Sequence, residues 1–531
     1  MKLLKNVLGF LLLSMLATTV SASDLFEGRI LVMNLGDSEV QLHPHKTQSA
    51  NEAQIFTGLY EGLVVYDPQT LQPLPGAAQK WEFSEGQRVI TFTLKPDLKF
   101  SDGSPLTARD FYKTFVKLLS PDTKAPFAFL LDDVIGAAEF RLGQTRNPGR
   151  LGMQVIDERT LVFRLRSPTP HFLSILCHYS LSPLHPDALT ETVPAKNFAV
   201  NGPYILAEAT DQIIVLKKNP YYWDKIGVSI EEIHILRMGD AEKATELFRR
   251  GAIDWLASGI DFTQPLNEQS QVVSAMYASS YLYFRTENKV YQNPDIRKAL
   301  INLLPLEQLR KNQTLPSTTL IPQVDPYPTI QGYDKPNIEL GLQLLKDAGY
   351  EKGSGLPPLS IYLPEGEESN SLAKQIQEAL KIHLPTLQVL YNPVSWREYY
   401  RSQGTTEHDI GFQSWIGDFP DPLTFLAMWE TGSSLNAFSF SNPEFDSLLA
   451  TSRTQTGKER FNTLSLAEKL LLDTGAIIPL GFSISVNIID QSSIGGWHSN
   501  PFDLHPFKNM YFTAPRSLPG TVFFGKPALT F

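Results

Sequence analysis

An apolar run at 359–363, a segment of helical periodicity at 369–382 and a second apolar run at 387–391 follow one another with little chain between them. Leu372, Ile376 and Leu380 recur at the spacing that puts them on one face of a helix. Two strands flanking one helix have few packing solutions, and the best satisfied is a parallel pair with a right-handed crossover. The unit commits the chain to a mixed α/β architecture built on sheets and excludes a helical bundle. Period-two alternation at 89–94 (VITFTL), 160–165 (TLVFRL) and 213–216 (IIVL) adds half-buried strands. Turns such as Ser101-Asp102-Gly103-Ser104-Pro105 separate them. Asn337 is predicted to cap a helix carrying Ile338, Leu342 and Leu345 on one face, with Gly349 as its stop.

The first residues address the chain to a compartment. Lys2 and Lys5 precede an apolar run at 7–17 that is too short to span a bilayer, and Val20-Ser21-Ala22 supplies the small residues of a cleavage site. A signal peptide over 1–22 is expected, cut after Ala22, and the export implied is most simply to the periplasm. No Cys follows the run, so no lipid anchor is expected there, and the single Cys177 excludes a disulfide within one chain. At 531 residues the chain has material for about three domains. A net charge of -10 argues against nucleic-acid binding. Charged residues are 19% and aromatic ones 11%, which fits a protein that spends aromatic surface on packing or on lining a cleft. The tail at 513–531, with three Pro and an apolar end, fits a strap across a lobe or an extension.

Catalytic patterns find little support. His43-Pro44-His45 is the closest pair of histidines, but Pro holds it extended and no third ligand lies at helical spacing, so no metal is expected. Ser371 and Lys374 have the Ser-x-x-Lys spacing of some acyl enzymes without the companion elements, and no nucleophile elbow or phosphate loop is present. No enzyme activity and no cofactor are expected. One local cluster carries a different chemistry: Trp415-Ile416-Gly417-Asp418-Phe419-Pro420-Asp421-Pro422. Asp421-Pro422 reads as a helix start, with an accepting carboxylate followed by a residue that needs no N–H. Asp418, between Gly417 and Phe419 and walled by Trp415, is placed either as a turn residue or to pair with a ligand ammonium in a site of low dielectric.

Nine short segments, in order over 31–512, resemble those of the family 5 solute-binding proteins, the extracytoplasmic receptors of ABC peptide importers, and most of all their oligopeptide-binding branch. They are Asp37-Ser38-Glu39-Val40-Gln41, Leu59-Tyr60-Glu61-Gly62-Leu63, Pro75-Gly76-Ala77-Ala78, the stretch 100–111, Asn201-Gly202-Pro203-Tyr204, Asn219-Pro220-Tyr221-Tyr222-Trp223, Asp295-Ile296-Arg297, the Asp418 segment and Ile494-Gly495-Gly496-Trp497. The resemblance implies a two-lobed periplasmic-binding-protein fold of type II, cluster C-like, with an extra domain inserted in the first lobe. The boundaries it implies are lobe I at 23–51, the insertion at 52–185, lobe I again at 186–278, lobe II at 279–490, and lobe I with the tail at 491–531.

The resemblance further implies an oligopeptide held between closing lobes by strand-like main-chain bonds, with side chains in roomy hydrated pockets, and a partner permease that receives it. A monomer is expected. Asp418 takes the position of the family's ammonium-binding aspartate, with Gly417 before it. Trp396 and Trp415 match rings that line side-chain pockets, Phe127 falls where relatives often carry Tyr, Trp497 replaces a Tyr near the hinge, and Ser38, Glu39 and Val40 match the edge that pairs with peptide backbone. Basic residues that hold the peptide carboxylate in relatives are largely missing: Arg401 is the nearby candidate, Phe412 stands where Arg is expected, and 365–368 is acidic. Alternatives open at this point are a metal chelate, haem, sugar or murein peptide as ligand, and a sensing role in place of transport.

Overall fold

The computed structural model describes residues 29–513 apart from 38–39, 48, 191–194, 324–325, 403 and 434. The signal peptide at 1–22, Ser38, Glu39 and the tail from 514 lie outside the described residues. The strand–helix–strand unit forms as read. Leu359–Pro364 and Val389–Val394 pair in parallel, Leu359 opposite Val389, and the helix Glu367–His383 between them buries Leu372, Ala373, Ile376 and Leu380. They begin one edge of an 11-stranded sheet. Inward from them come Ile410–Ile416 and then two long antiparallel strands, Gln271–Phe284 and Ile477–Ile489. Beyond these lie Trp255–Leu256, Leu31–Asn34, Glu232–Leu236, Ile213–Lys218 and Tyr204–Ala209.

The two long strands divide the sheet into halves and join them. Residues Gln271 to Ala275 pair with Ile488 to Ile484, whereas Ala278 to Phe284 pair with Ile416 to Ile410 on the other side. Between the two stretches the register slips, after Ala275 and again after Ser280. Such irregularities bend a strand and raise its twist, and here the bend falls where the chain passes from one half to the other.

A separate four-stranded antiparallel sheet holds Ala78–Ser84, Val89–Leu94, Thr160–Arg164 and Met153–Asp157, in that order. The helix Ala108–Leu119 covers it. Thr107 and Asp110 form a capping box at its start, and Phe111, Phe115, Leu118 and Leu119 are fully buried along one face. Phe115 and Phe92 both lie against Phe163, at ring separations of 5.6 and 5.7 Å. One core runs without a break from this sheet into the second half, where Trp415, Phe419, Leu423 and Trp429 belong to the same cluster.

Polar contacts cross the same boundary. The Tyr66 hydroxyl, which donates to the Ser174 carbonyl at 2.8 Å, lies 3.4 Å from the Asp418 carbonyl, Arg141 donates to the Gly432 carbonyl at 3.3 Å, and Ser167 donates to the Arg453 carbonyl. Arg453 is held by both oxygens of Glu430 and lies 3.7 Å from Asp133. His171 stacks on Phe419 and sits 3.9 Å from both Asp133 and Asp421.

Two readings need correction. Asn337 caps the helix Ile338–Asp347 through the Leu340 amide, and Leu345 is buried, but Ile338 is 44% exposed. It sits in the first turn, before the helix reaches its neighbour. Pro422 is not inside a helix: it occupies the cap position, and the short helix Leu423–Leu426 starts after it. Asp421 still accepts the Leu423 amide at 2.9 Å.

Candidate functional site

The site grows from the end of the strand Ile410–Ile416. Trp415 and Ile416 lie opposite Ser279 and Ala278, and the Gly417 amide extends the ladder by donating to the Tyr277 carbonyl at 2.8 Å. Gly417 is required by proximity rather than by backbone angle. A β-carbon there would lie 2.7 Å from the Tyr277 ring and 2.9 Å from the Thr424 methyl. The next residue, Asp418, is clamped at both ends by one hydroxyl: its amide donates to Thr424 Oγ1 at 2.8 Å, and that hydroxyl donates to Asp418 Oδ2 at 3.2 Å. Thr424 is fixed in turn by the turn that Asp421 caps, and Asp421 is anchored by both terminal nitrogens of Arg460, at 2.6 and 2.9 Å.

This leaves Asp418 Oδ1 facing the other half of the molecule. His178 Nε2 lies 3.9 Å away, and both side chains are less than a tenth exposed. Phe127 packs on His178 with ring centroids 4.4 Å apart, and reaches Tyr179 at 5.8 Å and Trp415 at 6.4 Å. Burial pushes the Asp418 carboxyl up to about 8, against the opposing hydrogen bond from Thr424. Burial pushes His178 the other way, down to about 3, so it is neutral at ordinary pH. Tyr66 and Tyr179 are raised first by burial, with the Asp418 charge adding to it. The arrangement is a buried carboxylate walled by aromatic rings, with one oxygen committed and one open. Such a group is stabilised by a cation brought to it.

Of the residues singled out from sequence, Asp418, Gly417, Trp415 and Phe127 come together here. Trp396 is 46% exposed, on the helix Trp396–Ser402, and meets Tyr399 and Phe412 edge-on at 6.4 Å. Phe412 thus fills this second aromatic group with a ring. Arg401 is on the same helix, but its side chain lies outside the described residues. Val40 packs on the core of the first half, and Trp497 stands apart from Asp418, stacked on His505 at 4.2 Å and set against Trp255.

The other chemical readings resolve locally. His43 and His45 are buried, His45 Nε2 meets the Ser180 carbonyl, and no group of three metal-ligating side chains is found among the described residues. Ser371 accepts from Gln375, while Lys374 reaches toward Glu378. Glu367 and Glu368 sit in the first turn of a 17-residue helix, where the helix dipole favours acidic side chains. His178 and Arg460 were missed from sequence, because contacts 240 residues from Asp418 and 39 from Asp421 leave no local pattern; Thr424, six positions after Asp418, was the nearest signal.

Two halves joined by paired long strands, closing on a buried site, are the two-lobed periplasmic-binding-protein fold seen in solved relatives. Residues 72–436 match the family described as bacterial extracellular solute-binding proteins, family 5, and the chain belongs to that family. It is similar to the periplasmic oligopeptide-binding protein OppA of Haemophilus influenzae, 28% identical over 92% of this chain and 94% of that one. The structure of that protein in complex with RPPGFSPFR gives a TM-score of 0.80 at 26% identity, covering 91% and 98% of the two chains. It is also similar to the periplasmic murein peptide-binding protein MppA of Escherichia coli, 28% identical over 94% and 96% of the chains. The TM-score to an MppA structure is 0.79, and to its unliganded open form 0.62, at 26% identity and 91% coverage of this chain in both cases. The fit to the peptide complex and the contacts across the boundary place this structure on the closed side.

Proposed function

We propose that this chain is an exported receptor that binds oligopeptides between its lobes and delivers them to the permease of an ABC importer. The carrying observation is Asp418: a buried carboxylate, turned toward the opposite half, with no cation beside it among the described residues. A peptide supplies that cation as its terminal ammonium, and closure then buries a matched pair instead of a lone charge. Trp415 and Phe127 wall the amino-terminal end, the half-exposed Trp396 beside Phe412 is assigned to a peptide side chain, and the edge at 38–40 to peptide backbone. Lobe boundaries at 52, 186, 279 and 491 follow the same reading, as do a periplasmic location after cleavage at Ala22 and a monomeric receptor without catalysis.

Phe412, standing where a basic residue would hold the peptide carboxylate, gives ligand recognition a bias toward the amino end. Native mass spectrometry of the mature protein from a periplasmic extract, with release and sequencing of the ligand, tests the proposal. A set of mixed peptides a few residues long supports it. A murein peptide mass favours the kind of ligand named for the E. coli relative, and a single mass without an amine removes the role given to Asp418.

A further inference from the structure

His178 is a candidate that sequence reading passed over, and its hydrogen bonds fix its chemistry. The Ser180 amide donates to His178 Nδ1 at 3.3 Å, and the Ser180 hydroxyl lies 2.8 Å from the same nitrogen. A ring nitrogen that accepts from a backbone N–H carries no proton, so the single proton of the neutral imidazole sits on Nε2. That N–H is the group turned toward Asp418 Oδ1, 3.9 Å away, while Thr424 occupies Oδ2. Phe127 and Tyr179 pack against the imidazole from adjacent sides, at 4.4 and 4.2 Å between centroids and 5.8 Å from each other, and restrict its rotation.

We propose that His178 is the positioning residue of the amine clamp. Its Nε2–H donates to Asp418 Oδ1 when the ligand seats between the closed halves, so the carboxylate enters the complex ionised and oriented. This rests on the reading of Asp418 as the ammonium partner. A shift of less than about an ångström turns the approach into a hydrogen bond. Thr424 and His178 then donate to the two oxygens from opposite halves, and the remaining acceptor directions are left to the ammonium. A neutral donor suits this place better than Arg or Lys, which would satisfy the charge without ligand.

The titratable groups around the carboxylate agree with this division. Tyr66 on the strand Val64–Tyr66, Cys177, and Tyr179 on the segment Tyr179–Leu181 are all held neutral by burial. Asp421, three residues on, is paired with Arg460. His178 is thus the ring donor from the opposite half that meets the open oxygen.

The experiment measures the dissociation constant of tetra-alanine across the acid range for wild type, His178→Phe and His178→Gln. The pH at which binding fails is expected to rise by about one unit in His178→Phe, the size of one charge-assisted hydrogen bond. His178→Gln, which keeps an N–H donor, should restore most of it. Should Phe not fold in this place, His178→Leu makes the same comparison. Loss of affinity by the same factor at every pH, or no loss, overturns the inference and leaves His178 as packing. If Asp418→Asn also leaves tetra-alanine binding unchanged, the underlying reading of the site fails as well.

Discussion

In the closed molecule the Asp418 carboxyl faces Thr424 and a neutral His178, so burial favours its protonated form, and this sets how the ligand-free protein responds to pH. The carboxyl rises from 3.8 to about 8 on burial. A group raised in this way favours the closed form fully at low pH, where it is protonated in either form, and the favour is lost as pH rises through the raised value. The closed fraction of ligand-free protein should therefore fall between about pH 4 and about 8. Small-angle scattering of stripped protein should show the radius of gyration growing across that window, and Asp418→Asn should flatten the curve. Gly417→Ala adds a β-carbon within 2.9 Å of both Tyr277 and Thr424. It should cost about 1–3 kcal/mol in urea unfolding, the usual range for overpacking, and weaken peptide binding by displacing Thr424 from Asp418.

At the scale of elements, what was legible and what was not divide by sequence distance. The helix Glu367–His383 and its flanking strands are written in local periodicity, and each was found within three residues of its place. The bond from the Leu423 amide to the Asp421 carboxylate was legible for the same reason, although Pro422 takes the cap position. The carboxylate's partner Arg460 was not, since 39 residues separate them and nothing in a helix of mixed composition marks one Arg as buried. Glu61 is a sharper case: it accepts from Trp223 at 2.6 Å and Lys508 at 3.0 Å, partners 162 and 447 residues away. The Asp421–Arg460 pair is buried on both sides, at 7% and 5% exposure. Arg460→Met should therefore strand a charge and destabilise the second half by roughly 3–5 kcal/mol in denaturant unfolding. The double change to Asp421→Asn with Arg460→Met should recover much of it.

For the whole molecule, closure is supported by two kinds of contact that should separate in experiment. One is the ligand held at Asp418. The other is the set of contacts between the halves that needs no ligand, with Arg453 reaching Asp133 and His171 stacked on Phe419. Arg453→Met removes both the contact to Asp133 across the boundary and the paired bonds to Glu430, far from Asp418 in the chain. It should lower affinity for free and amino-blocked peptides alike, whereas changes at Asp418 should discriminate between them.

That discrimination is the most direct test of the central claim. Calorimetric binding of tetra-alanine and N-acetyl-tetra-alanine should be compared in wild type and Asp418→Asn. The account expects acetylation to weaken binding to wild type by about 2 kcal/mol or more, roughly 30-fold, and to change little in Asp418→Asn. Equal binding of both peptides by wild type would contradict it.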